Sequence, residues 1–189
     1  MRLKNHYWIL RHGQARSNQQ RFVSSWPERV YNPLTKKGKN QIKAVIPSLK
    51  KKDITMIFSS DLTRTKQTAE MVSRALGLRI KFDQRLREIG MGIYNGRDEK
   101  LWNDFFQTNT QRFFKRPLGG ENYRDVKKRV TAFIKEIDKK YQGENILLIS
   151  HGCILFSLQA AVKGFTEKQE RKYRQRLVMK TGQLRELKP

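Results

Sequence analysis

The sequence predicts an α/β fold with a largely parallel central sheet, and three observations predict it. The short apolar runs Tyr7–Leu10, Met56–Phe58 and Ile146–Ile149 have the length and composition of strands buried on both faces. Segments of helical periodicity separate them, the alternation that parallel strands with crossover connections require. Two of these runs lead into the same dipeptide, at His12-Gly13 and His151-Gly152. Ligands of open α/β sheets sit outside the carboxyl ends of the strands, so both imidazoles and Arg11 are expected at one shared edge.

Residues 14–35 are polar and turn-rich, with Pro27, Asn32 and Pro33, and read as a loop. Ile42, Val45, Ile46 and Leu49 fall at i, i+3, i+4 and i+7 and give the next helix one apolar face. After the Met56–Phe58 strand come Ser59-Ser60-Asp61, all N-cap residue types. A helix is therefore predicted from about Asp61, with Arg64 in its first turn and Gly77 at its end. Arg79 to Phe82 reads as a third strand. Residues 86–96 hold three glycines and Glu88 and read as a loop. Asp98 to Lys115 is helical in propensity, Pro117 to Gly120 break it, and Val126, Val130, Phe133, Ile134, Ile137 and Tyr141 keep a helical period beyond. Residues 98–141 thus read as a helical insertion. An apolar helix with Ile154, Leu155, Leu158 and Val162 follows His151-Gly152, and the charged tail ends in an edge strand at Gln183–Leu187. With no repeat, low-complexity tract or linker, residues 1–189 read as a single domain.

Charge narrows the function. Lys and Arg total 41 against 17 Asp and Glu, a formal net charge of +24. Such a field favours anionic company: a small phosphorylated substrate first, with weak, non-specific polyanion binding beside it. The basic residues are spread along the whole chain, which equally describes a generally basic surface. One cysteine, Cys153, excludes a disulfide framework and a Cys-based zinc site. No apolar run is long enough for a signal peptide or a membrane span, so a cytoplasmic protein without a membrane partner is the default. The oligomeric state is not encoded in any pattern of this kind.

The chemistry follows from which residues share the sheet edge. Arg11, His12, Arg64 and His151 together make a pocket of two guanidinium forks and two imidazoles, and its natural guest is a phosphoryl group. Phosphoryl transfer needs its equatorial oxygens neutralised, and a neutral imidazole is a competent nucleophile. Asn18, six residues past His12, adds a neutral donor, and Glu88 is the best-placed acid for a leaving group. Glu121, after two glycines, reads equally as a helix N-terminal acid or as a pocket residue. Phe105, Phe106, Phe113 and Phe114 beside Arg112, Lys115 and Arg116 read as core or lid packing rather than as a base-stacking surface. The run 170–176 reads as a solvated helix.

These residues resemble the histidine phosphatase superfamily, the phosphoglycerate mutase-like branch 1. The resemblance rests on Arg11-His12-Gly13 with Asn18, Pro33-Leu34-Thr35 with Gly38, and Ser59 to Thr65 with Thr68-Ala69. It continues through Leu86-Arg87-Glu88 with Gly92 and Gly96, Gly119-Gly120-Glu121, and Ser150-His151-Gly152. It spans about residues 7–152; the tail after 165 matches poorly. It implies a three-layer sandwich around a mostly parallel sheet, with no metal and no organic cofactor. It further implies His12 as the phosphorylated nucleophile, Arg11, Arg64 and His151 as phosphoryl ligands, and Glu88 as general acid. Asn18 and the Gly152 backbone would complete the phosphate pocket. A phosphatase is favoured over a mutase because the segment between Glu88 and His151 looks short for the latter. The two rivals are phosphoglycerate mutase-type transfer and a basic polyanion-binding protein on the same fold.

Overall fold

The computed structural model describes residues 1–189. The chain runs β1 (His6–Arg11), α1 (Arg16–Gln20), α2 (Lys36–Lys50), β2 (Met56–Ser59), α3 (Thr63–Leu76), β3 (Ile80–Phe82) and α4 (Glu99–Asp104). It continues through α5 (Tyr123–Lys140), β4 (Asn145–Ser150), α6 (Gly152–Val162), α7 (Glu167–Leu177) and β5 (Leu184–Leu187). The five strands form one sheet in the order β3-β2-β4-β1-β5. Four are parallel, and β5 lies antiparallel on the outer side of β1.

Alternation along the strands builds the layers. Leu10, Ile57, Leu147 and Ile149 face one side and pack with Ile42 and Leu49 of α2 and Ala69 and Val72 of α3. Tyr7, Ile9, Phe58, Ile146 and Leu148 face the other, against Val130, Phe133 and Ile134 of α5 and Phe156 of α6. The result is a three-layer α/β sandwich. Residues 154–162 of α6 are buried throughout, which explains why that helix is apolar all round rather than on one stripe. No helix is long and apolar enough to cross a membrane.

The structure departs from the sequence reading in four places. Residues 14–35 are not all loop, since α1 forms directly after Ala15. The helix predicted over 98–115 stops at Asp104; Thr108, Asn109 and Thr110 favour turns, and only a 3-10 turn at Gln111–Phe113 follows. The 98–141 insertion therefore divides: its first part is an irregular excursion, whereas α5 is a core layer helix packed on α6. In the tail, α7 is not wholly solvated, because Glu170 is buried against Lys127 Nζ at 2.5 Å.

One close approach fixes the turn after β1. A Cβ on Gly13 would lie 2.4 Å from the Gly38 carbonyl oxygen, and one on Gly38 would lie 2.0 Å from that of Gln14. Both glycines are there because backbone meets backbone, not for a left-handed φ. In an ordinary helix interior Gly→Ala gains about 1 kcal/mol. For Gly38→Ala the clash should reverse the sign, with a loss of about 1–3 kcal/mol in equilibrium urea unfolding. An unchanged or raised midpoint would show that the turn can move aside.

Candidate active site

The register of β1 on β4 pairs Arg11 with Ser150, so the two His-Gly ends emerge abreast. The backbone N–H of His12 donates to the Ser150 carbonyl at 3.1 Å, and that of Ser60, after β2, donates to Ile149 at 3.1 Å. His12 and His151 are both buried, their rings edge to face with centroids 5.2 Å apart. The only hydrogen-bond acceptor beside His12 Nδ1 is the Gly13 carbonyl at 2.8 Å, so Nδ1 carries the proton. The Nε2 lone pair is then free and accepts only from Arg64 Nε at 3.3 Å. Burial, then the charges of Arg64 and Arg11, hold the His12 pKa well below the usual imidazole value. The imidazole is neutral at neutral pH, with the reactive nitrogen facing the guanidinium.

Arg64 lies in the first turn of α3 and is buried. Its Nη1 and Nη2 donate to the Ser24 hydroxyl and carbonyl at 3.3 and 3.0 Å. Burial pushes its pKa down to about 10, which still leaves it cationic. The helix start has no side chain of its own at the N-cap, Leu62. Glu28, from the loop between α1 and α2, fills that role: its carboxylate accepts from the Thr63 N–H at 2.9 Å and hydroxyl at 2.7 Å, and lies 3.6 Å from Arg64. One carboxylate thus caps the helix and balances the buried cation.

Arg11 is held by the tail. Its Nη1 donates to the Met179 carbonyl at 2.7 Å, its N–H to Gln183, and its own carbonyl accepts from Gly182. The guanidinium lies flat on the start of α6, where a Cβ on Gly152 would come within 3.2 Å of its central carbon. His151, the N-cap of α6, bonds through Nε2 to Ser60 Oγ at 2.9 Å. That hydroxyl also accepts from the Leu62 N–H; a Ser60 hydrogen donated to Nε2 would put the imidazole proton on Nδ1. His151 Nδ1 and Arg11 Nε are buried with no partner in the protein. Unmatched buried donors next to free α6 amides describe a site built for oxyanions.

Glu88 enters from the loop after β3. Its Oε1 accepts from the Ile89 N–H at 3.0 Å. The loop is clamped from α5: Arg129 pairs with both Glu121 oxygens at 2.8 and 2.9 Å and donates to the Arg85 and Glu88 carbonyls, while Glu121 accepts from the Gly90 N–H at 2.8 Å. Arg87, stacked 3.9 Å over Trp26, ties the loop to Asp61 by a two-pronged ion pair. Asn18 sits in α1, where its Oδ1 accepts from the Ala15 N–H at 2.9 Å.

Arg11, His12, Asn18, Arg64, Glu88 and Gly152 all line one cavity of about 710 Å³; His151, fully buried, is off its wall with its ring 5.2 Å from that of His12. The residues singled out in the sequence are therefore brought together. Glu121 belongs to the clamp, not to the cavity. Cys153 lines the cavity, but burial and the nearby Glu88 carboxylate push its thiol up to about 12, so it stays protonated. Among Phe105, Phe106, Phe113 and Phe114, the first three pack inward and only Phe114 is exposed. Sequence reasoning missed Ser24, Glu28, Arg129 and the Met179 carbonyl; none carries a local signal, because each acts on a partner remote in sequence.

The sequence profile described as histidine phosphatase superfamily (branch 1) matches residues 7–185. The match takes in most of the tail after residue 165, correcting the narrower extent read from the motifs. A probable phosphoglycerate mutase GpmB of Salmonella paratyphi A is 36% identical over 176 residues, 89% of this chain and 80% of its own. Among solved structures, Bacillus stearothermophilus YhfR aligns over 88% of this chain and 83% of its own, with a TM-score of 0.78 and 27% identity. A mycobacterial glucosyl-3-phosphoglycerate phosphatase in complex with VO3 aligns over 96% of this chain and 90% of its own, with a TM-score of 0.82 and 23% identity, a likeness of fold.

The depressed imidazoles have a consequence for stability. A histidine whose folded pKa lies below its unfolded value of about 6.5 binds more protons when unfolded, so stability falls as pH drops below that value. Each contributes a slope of up to about 1.4 kcal/mol per pH unit between its unfolded and folded pKa. Urea unfolding between pH 7 and 5 should show this slope in the wild type and a smaller one in both His12→Asn and His151→Asn. Parallel curves for all three proteins would contradict it.

Proposed function

Because the chain belongs to branch 1 of the histidine phosphatase superfamily, we propose that it hydrolyses phosphate monoesters through a phosphohistidine on His12. The observation that carries this reading is the state of His12: neutral, with its proton tied to Gly13 and Nε2 open at a cluster of unmatched donors. The phosphoryl group docks on Arg11, Arg64, Asn18, the His151 Nδ1–H and the α6 amides beginning at Gly152. As it enters, the Arg64 Nε–H turns from Nε2 to a phosphoryl oxygen, which frees the lone pair for in-line attack. Arg11 and Arg64 neutralise the equatorial oxygens, so the reaction needs no metal ion.

Glu88 is the proton donor to the departing alkoxide. Of the two carboxylates that line the cavity it is the half-buried one, Glu99 being exposed, and its charge acts on Arg64 and Cys153. Water then attacks the phosphohistidine with Glu88 as base, returning His12 to its starting state. Hydrolysis rather than return of the phosphoryl group to a second hydroxyl is supported by the cavity mouth. It is formed in part by the exposed residues Asn18, Arg21, Glu99 and Asn103, and the short 98–122 excursion leaves it open to water. The name of the Salmonella relative favours the mutase reading, which the same experiment separates.

Purified protein in EDTA should turn over p-nitrophenyl phosphate and carry a base-stable, acid-labile phosphoryl label after denaturing alkaline quench. His12→Ala should abolish both. Glu88→Gln should lower kcat/KM, which reports formation of the phosphohistidine, about 10²–10⁴-fold on an alkyl phosphate and far less on p-nitrophenyl phosphate, whose leaving group needs no proton. Label that passes to an added hydroxyl acceptor in preference to water would establish the mutase. Folded wild type with neither turnover nor label would sink the phosphohistidine reading.

A further inference from the structure

A second cavity, of about 550 Å³, lies between α6, α7 and β5, and its size is that of a small-molecule site. It shares no lining residue with the cavity of His12. Tyr173, Arg176 and Leu177 of α7 face it, whereas Arg174 and the following Val178 line the other.

Arg185 is its centre. It stands on β5 opposite Ile9, and its bonds all fall on Nη1, which donates to Gln159 Oε1 at 2.7 Å and to the Arg176 and Leu177 carbonyls at 2.8 and 3.4 Å. Nε and Nη2 have no partner in the protein and are not sealed from solvent. Gln159 is itself buried, and its amide nitrogen donates to the Leu155 and Leu177 carbonyls at 2.8 Å, which fixes its oxygen toward the guanidinium. Arg185 is thus oriented by neutral acceptors only. Burial pulls its pKa below the ordinary arginine value, with no carboxylate acting against it.

The charge around it is one-sided. Lys163, Arg176, Arg185 and Lys188 line the cavity against one carboxylate, Glu186, which pairs with Lys188 at 2.8 Å. None of the molecule's ion pairs involves Lys163, Arg176 or Arg185. Lys163 Nζ donates to the Pro189 carbonyl at 3.2 Å. Three cations are therefore unbalanced, and a chain end at Pro189 would offset Lys163 and leave two. Beside them stand two half-buried aromatic rings, Phe165 and Tyr173, with centroids 5.3 Å apart and planes tilted by 35°. The Arg176 guanidinium lies 5.8 Å from the centre of the Tyr173 ring. An open guanidinium fork suits phosphate oxygens, and adjacent aromatic faces suit a flat ring.

We propose that this cavity binds a nucleotide, with its phosphates on Arg185 and Arg176 and its base against Phe165 and Tyr173. The site lies outside the catalytic cavity and stands independently of the phosphatase reading. The Leu177 carbonyl that Arg185 holds is two residues from the Met179 carbonyl that orients Arg11, so the ligand sits next to the backbone clamp on the catalytic end.

Calorimetric titration with adenosine 5′-(α,β-methylene)diphosphate, which has no phosphate monoester bond to hydrolyse, tests the proposal, with hydrogen–deuterium exchange to locate the ligand. Wild type should bind it, and exchange should slow in residues 163–165, 173–177 and 185–188. Arg64→Gln, which disables the anion site at His12, should keep this binding. Arg176→Glu and Arg185→Gln should each weaken it about tenfold or more, the effect of one charge-assisted hydrogen bond. Arg176 is exposed and its side chain holds no other element, so its variant keeps the test sound if Arg185→Gln fails to fold. Methylenediphosphonate, which lacks the base, should bind about tenfold more weakly, the scale of one base stacked on an aromatic ring. No binding by the wild type, binding lost in Arg64→Gln but kept in Arg176→Glu, or slowed exchange confined to the surroundings of His12 would each overturn the site. Equal affinity for methylenediphosphonate would overturn its assignment to a nucleotide.

Discussion

The parallel pairing of β1 with β4 is the constraint on which the rest of the site depends. With Arg11 opposite Ser150, the residues that follow each strand, His12 and His151, must lie side by side. A slip of one residue would send one of the two imidazoles to the other face of the sheet. The register is held by interior packing on both faces, Leu10 with Leu147 and Ile149 on one and Ile9 with Ile146 and Leu148 on the other. The strands are apolar throughout for this reason. Chemistry at their ends depends on alternation along their length.

Around that pair the protein holds positive charge mainly with neutral groups. Arg64 is fixed by the Ser24 hydroxyl and carbonyl, and Arg11 by the Met179 carbonyl. Opposing charge comes from the Glu88 carboxylate and from Glu28, 3.6 Å from Arg64 and shared with the first turn of α3. Tighter carboxylate partners would stabilise the empty site more and would leave less potential for an anionic guest. The same economy keeps both imidazoles neutral: adjacent guanidiniums and burial act on them in the same direction.

Much of this was legible in the sequence. Apolar runs ending in His-Gly placed the strands and the sheet edge, and Arg64 and Glu88 fell where spacing put them. What stayed hidden is of one kind. Glu28 caps a helix 35 residues further on, Arg129 clamps a loop 41 residues before it, and Met179 reaches Arg11 across 168 residues. Side chains and carbonyls of this sort leave no periodicity, because their partners are chosen by the tertiary fold. The misread stretch at 98–115 failed for a different reason: residues 105–115 contain strong apolar anchors, yet Thr108, Asn109 and Thr110 between them stop the helix. The tail was undervalued because its contribution to the site is backbone, and backbone carbonyls are the same in every sequence.

That backbone clamp sets when the site can exist during folding. The Arg11 guanidinium is oriented by a carbonyl 168 residues further along the chain, with the 182–183 backbone closing on its main chain. The cavity end of the sheet is therefore complete only once residues 179–183 have joined it, and a chain folded without them holds His12 beside a loosely held Arg11. Closing contacts of such long range costs the most chain entropy, so this end of the sheet is the part of the site whose order the fold secures last.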